Sequence, residues 1–123
     1  MIHVYKEDRP WGSFERFTKE VPSTVKIITV HHGQSTSLQY HEHRQEFWRI
    51  LQGEPIITIG DKEVLAKPGF EFFVDKKVKH RIAATTNDVV LLEISLGRFD
   101  ENDIVRLDDR YGRISVRSSK SKL

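Results

Sequence analysis

The sequence predicts an all-β domain, a jelly-roll barrel or β-sandwich with one short C-terminal helix. Three observations lead there. Turn residues recur at roughly ten-residue spacing, at Gly33, Gly53, Gly60–Asp61, Pro68–Gly69 and Asp75–Lys77. The segments between them are short and rich in β-branched and aromatic residues, which suit a pleated, half-buried surface. The one stretch with helical character is brief, and 123 residues with 37% hydrophobic content suffice for a single core.

Taken in order, Val25–Val30 is β-branched and alternating, the pattern of a half-buried strand. Gly33 turns the chain into a strand carrying Gln39 and His41. Phe47–Leu51 is an apolar run ending at the Gly53 turn. Ile56–Ile59 and Glu63–Ala66 flank Gly60–Asp61, a tight-turn hairpin. Phe70–Val74, His80–Ala84 and Val89–Leu96 complete the series. Asp100 to about Leu107 is the helix, with Asp100, Glu101 and Asp103 at its acidic start. Phe70, Phe72 and Val74 cannot share the interior with Phe73, so part of this run is expected to pack between subunits of a homodimer. Trp11 and Trp48 are read as core or interface aromatics, and Tyr111 as packing the C-terminal segment onto the barrel. No domain boundary is visible. Residues 1–123 are read as one domain with its core at 9–113 and a flexible basic tail at 114–123.

Composition excludes several function classes. With no cysteine there are no disulfides and no thiolate metal sites, which suits a reducing compartment, the cytoplasm. A net charge of +2 is too small to point to nucleic acid. No apolar run approaches the ~18 residues of a membrane span, and the N-terminus has no signal-type stretch. The chain ends in Ser121-Lys122-Leu123, which a eukaryotic cell would read as a peroxisomal address.

The chemistry concentrates between Gly33 and Gly53, in the pattern G-x5-Q-x-H-x4-E-x6-G, with His80 following on a later strand. Strand side chains alternate, so Gln39, His41 and His43 are expected to share a face. Imidazole nitrogens and carboxylate or amide oxygens suit a divalent ion: Zn, Mn, Co, Ni or Fe. Gln39, His41, Glu46 and His80 are the candidate metal ligands, and His41 with His43 is the alternative pairing. A small barrel would let residues this far apart converge. His31 and His32 read as exposed loop residues.

The segment from Ser37, SLQYHEHRQEFW, resembles the QxHxHRxEHW motif of type II mannose-6-phosphate isomerases, a cupin domain. Arg9-Pro10-Trp11-Gly12 resembles the RPWG that opens that domain. Asp103-Ile104-Val105-Arg106, with Asp109 to Arg113, resembles the DDIVR…DRYGR that closes it. His80-Arg81-Ile82 resembles the HRL of the second cupin motif. The likeness spans residues 9–113. In that family the cupin usually follows a mannose-1-phosphate guanylyltransferase domain. This chain reads as a stand-alone version for which no guanylyltransferase activity is expected.

The resemblance implies interconversion of mannose 6-phosphate and fructose 6-phosphate through an enediol, with a sugar phosphate as the small-molecule partner. It implies that Gln39, His41, Glu46 and His80 hold the metal. Arg44 and Arg106 match arginines the family uses for activity. Arg106 is assigned to the phosphate and Arg44 to charge developing near the sugar. The sequence departs from the family at Phe47, where the family has His, at Asp75 and Lys77, where it has Pro and Gly, and at Ala84, where it has Asn. If the family His moves the proton, His43 or Glu42 must replace it here, and His43 is preferred for its face. If residue 47 lies outside the barrel, as alternation from Glu46 suggests, the change is structural. Two other readings stay open: a catalytically inactive or regulatory cupin that binds a sugar phosphate or nucleotide sugar, and another metal cupin enzyme, an epimerase or dioxygenase.

Overall fold

The computed structural model describes residues 2–113; the expected basic tail at 114–123 and its terminal Ser-Lys-Leu lie outside the described residues. Strands β1 (Tyr5–Arg9) and β2 (Gly12–Arg16) form an N-terminal hairpin. Behind it, β3 (Ser23–Val30), β10 (Val89–Gly97), β5 (Arg44–Gln52) and β8 (Glu71–Val74) form one sheet in the order β3-β10-β5-β8. The facing sheet runs β11-β4-β9-β6-β7, from β11 (Val105–Asp108), β4 (Leu38–Tyr40), β9 (His80–Ala83), β6 (Ile56–Ile59) and β7 (Lys62–Leu65). Every pairing is antiparallel. Among the described residues no helix is long and apolar enough to cross a membrane.

The inward faces of β5 and β10 grade from apolar to polar along the barrel. Ile50 faces Leu91, Trp48 faces Glu93 and Glu46 faces Ser95 in the antiparallel register. At the apolar end Val30, Trp48, Ile50, Ile57, Ala66, Val74, Ile82, Ala84, Val89 and Leu91 form the buried core. The polar end is where the candidate ligands gather. Gly53 makes the return between β5 and β6 possible. Its φ is +86°, and a Cβ there would stand 2.4 Å from the Asp88 carbonyl oxygen, so a side chain would meet backbone that cannot yield.

The strands expected from Val25 onward are present, but two elements differ from expectation. Residues 100–107 do not form a helix. Asn102 N–H bonds the Asp100 carboxylate at 2.9 Å to make a turn, and Asp103 gives its carboxylate to the N–H groups of Glu42 and His43. With its acidic residues engaged in this way, the segment starts no helix of its own, and β-branched Val105 pairs with Tyr40 as strand β11. The β1–β2 hairpin was not foreseen. Its strands are largely polar and exposed, and its turn signal is the Pro10–Trp11 tip, which leaves Trp11 73% exposed rather than in a core. Bidentate bonds from Arg49 to Glu15, at 2.7 and 2.8 Å, and the Phe17 ring 5.6 Å from that of Phe47, tie this region to the outer face of β5.

The aromatic run sorts by strand parity. Phe72 pairs with Trp48 and packs on the core. Phe73 pairs with Phe47 in the layer outside the sheet. Phe70 precedes the strand and is exposed.

Candidate metal centre

Three strands and a loop assemble the site. β4 supplies Gln39, and His41 follows its last residue. β9 begins at His80, and β5 brings Arg44, Glu46 and Trp48 on one face. Gln39 lies directly opposite His80 in the β4–β9 pair and opposite Arg106 in the β4–β11 pair. His41, Glu46 and His80 are 4%, 1% and 2% exposed, and one ligand atom from each lies within 4.8 Å of the others.

Hydrogen bonds set the imidazoles. His41 Nδ1–H donates to the Asp103 carbonyl at 2.7 Å, and His80 Nδ1–H donates to the Val78 carbonyl at 2.9 Å. A carbonyl only accepts, so both Nδ1 atoms carry hydrogen and both Nε2 atoms point inward. His41 Nε2 is 3.2 Å from Glu46 Oε2, and His80 Nε2 is 3.7 Å from Glu46 Oε1. Two donors about 2.1 Å from one ion stand roughly 3.0–3.4 Å apart; the His41–Glu46 separation falls in that range, and the His80–Glu46 separation is slightly wider. Gln39 Oε1 is buried without a hydrogen-bond partner on the same cavity wall. An orphaned amide oxygen beside two inward imidazole nitrogens and a carboxylate is a donor set short of a cation.

Burial depresses the His80 pKa, which favours the neutral ring that a metal needs. Burial alone would raise Glu46. The surrounding polar groups of His41 and His80 and the permanent cation of Arg44 outweigh it and hold the carboxyl below the usual carboxylate range. Glu46 also accepts from Trp48 Nε1–H at 3.1 Å and from Arg44 Nε–H at 3.1 Å.

His43 does not take the place expected of it, and Arg44 does. β4 ends at Tyr40, and residues 41–43 bend before β5 starts, which breaks the alternation counted from Gln39. Arg44, Glu46 and Trp48 therefore face inward. His43 is exposed, and its backbone N–H bonds Asp103. His43 accordingly does not share the ligand face, and a proton-transfer role for it loses its geometric basis. Phe47 lies on the outer face against Phe17, so the residue that replaces the family histidine is outside the barrel, as alternation from Glu46 suggests.

The cavity over the ligands has a volume of about 180 Å³ and is lined by Gln39, His41, Arg44, Glu46, His80 and Arg106, among others. Glu93 is on its wall too, and sequence reasoning missed it. Its signal was a single carboxylate inside the apolar run VVLLEISLG, at the parity of the buried Val89 and Leu91. Burial, followed by the charge of Glu46 and a hydrogen bond to it, pushes the Glu93 carboxyl up to about 8. Arg106, Gln39, Ile28 and Thr36 also border an outer cavity of about 360 Å³ that includes Tyr111 and Arg113. The Tyr111 hydroxyl bonds Gln34 there, which fastens the C-terminal segment to the loop after Gly33.

A jelly roll with an imidazole–carboxylate–imidazole cluster at one end defines a cupin with a candidate metal centre. The chain belongs to the family described as Mannose-6-phosphate isomerase C-terminal, which matches residues 2–109. It is 36% identical over 107 residues, 85% of this chain and 23% of the relative, to the xanthan biosynthesis protein XanB of Xanthomonas campestris pv. campestris. It is 31% identical over 115 residues, 91% of this chain and 24% of the relative, to the mannose-1-phosphate guanylyltransferase ManC of Salmonella typhimurium. The chain thus spans about a quarter of the length of these curated relatives. Among solved structures, a cupin protein from Bacteroides fragilis is similar in fold, with a TM-score of 0.56 and 21% identity over 66% of this chain and 74% of that one.

Proposed function

We propose that this chain is a metal-dependent sugar-phosphate isomerase interconverting mannose 6-phosphate and fructose 6-phosphate. The observation that carries the reading is the convergence of His41, Glu46 and His80 beside the unpartnered Gln39 oxygen, in a chain of this family. Those four residues would hold a divalent ion, which when bound would polarise the sugar oxygens at C1 and C2. Trp48 orients the Glu46 carboxylate by donating to Oε1. Arg106 sits where the inner and outer cavities meet and would hold the phosphate. Arg44 lies deeper, beside Glu46, where its charge would favour an enediolate oxygen.

The test is turnover of fructose 6-phosphate to mannose 6-phosphate with Mn, Zn, Co, Ni or Fe added in turn, for the wild type and for Glu46→Gln and His80→Ala. Activity with at least one metal, lost in both variants, is expected. Calorimetric binding of the sugar phosphate without turnover under any metal would replace the isomerase with a binding module.

A further inference from the structure

The Arg44 guanidinium bonds two of the candidate metal ligands. Its Nε–H donates to Glu46 Oε2 at 3.1 Å, and its Nη2–H lies 3.3 Å from His41 Nε2. Both acceptors are atoms that a bound ion would use. The conflict is sharpest at His41. Its Nδ1–H is committed to the Asp103 carbonyl, so Nε2 has a single lone pair in the ring plane. That lone pair can accept from Arg44 or bind a metal ion, and one choice excludes the other. A guanidinium is a permanent cation, so it also opposes a second cation a few ångströms away in a site where His41, Glu46 and His80 are all buried.

Arg44 has two further contacts that involve no candidate ligand. Its Nη1–H donates to the Asp100 carbonyl at 3.2 Å, and its guanidinium lies 4.6 Å from the centre of the Phe99 ring. These can hold the side chain beside Asp100 and Phe99 when its bonds to Glu46 and His41 are given up.

We propose that Arg44 is a positioning residue that stands in for the metal: its guanidinium and a divalent ion exclude one another at His41 Nε2 and Glu46 Oε2, so loading the ion releases Arg44 toward the substrate cavity. This rests on the metal reading of the site. It gives Arg44 two successive tasks. Without metal it donates to two converging acceptors, Glu46 Oε2 and His41 Nε2. With metal its N–H groups are returned to the cavity, where an anionic sugar phosphate would need them.

The test uses the full chain and Zn as the probe. Zn affinity is measured by competition with a chromophoric chelator for the wild type, Arg44→Met and His80→Ala. Arg44→Met keeps the stem of the side chain as far as the Nε position and removes the competing cation, so its affinity is expected to rise by about tenfold or more, within the usual range of coupling between two sites. In parallel, the arginine Nε–H signals of ¹⁵N-arginine-labelled wild type are followed by NMR. The Arg44 signal is assigned by its loss in Arg44→Lys, a variant that decides the matter even if the methionine variant fails to fold. In metal-free protein the Arg44 Nε–H is expected to exchange slowly with water, and saturating Zn is expected to remove that protection. An unchanged or weaker affinity in a folded Arg44→Met protein overturns the proposal. So does a protected Arg44 Nε–H in Zn-saturated protein, whatever the affinities show. Wild type that binds no Zn, or binds it as well as His80→Ala does, sinks the metal reading itself, an outcome distinct from Zn binding that ignores Arg44.

Discussion

Trp48 donates its indole N–H to Glu46 Oε1 at 3.1 Å, and the two residues stand on the inner face of one strand with a single outward residue between them. The indole is thus bonded directly to the carboxylate that a metal would use. Titration with Co or Ni is expected to quench Trp48 emission saturably, with one ion per chain. Trp11→Phe removes the exposed second tryptophan and isolates the signal. His80→Ala should abolish the saturable phase, because losing a ligand costs more than the roughly 10- to 100-fold loss typical of a supporting residue. Quenching that persists in His80→Ala would place the ion elsewhere.

Phe47 marks the separation of the two faces of β5. It is 5% exposed and packs on Phe17 outside the barrel. Phe47→Ala is expected to cost about 3 kcal/mol of stability by opening a cavity, while leaving metal stoichiometry at the value of the wild type. Urea denaturation and metal analysis of the same preparation measure both. Loss of bound metal from a folded Phe47→Ala protein would show that the outer face reaches the site.

Glu93 predicts a pH dependence of folding. Its carboxyl titrates at about 8 in the folded protein, against an ordinary 4.5. Between those values the native state keeps a proton that the unfolded chain has released. The native state then binds more protons, so stability falls as pH rises through this window. Glu93→Gln holds no ionisable proton there. Urea midpoints of metal-free protein at pH 5 and pH 8 should therefore drop less in Glu93→Gln than in the wild type. Equal drops would remove Glu93 from the account. The comparison between proteins cancels the opposite contribution of His80, whose depressed pKa makes the unfolded state the one that binds more protons.

Gln39 and His43 separate inward from outward residues around the bend. Gln39→Ala removes a buried oxygen on the cavity wall and is expected to weaken metal affinity by about tenfold or more. His43→Ala removes an exposed ring and should leave that affinity unchanged. Chelator competition on the two variants side by side checks the pair. The reverse ranking would restore the His41–His43 pairing.

Much of the barrel was legible because its signals are local. The Gly60–Asp61 hairpin, the alternating β3 segment and the apolar run of β10 each carry their own period or turn chemistry, and each appears where expected. Residues 100–107 and the N-terminal hairpin were not legible, for opposite reasons. Asp100 and Asp103 carry helix-start chemistry that is spent on a turn and on the distant Glu42 and His43 amides. The hairpin lacks an inward apolar face and is held by Arg49 and Phe47 from another part of the chain.

The sequence by itself determined the candidate ligand types and their order along the chain. Those properties follow from residue identity and from periods of two, which any reader of the chain can count. Tertiary structure alone decided which cations and carboxylates share the site. The bend at residues 41–43 shifts strand parity by one, turning His43 out and Arg44 in, and the pairing of β10 with β5 sets Glu93 beside Glu46. The parity of Glu93 is visible in its own strand, but its partner is settled only by the register between strands that meet when the barrel closes.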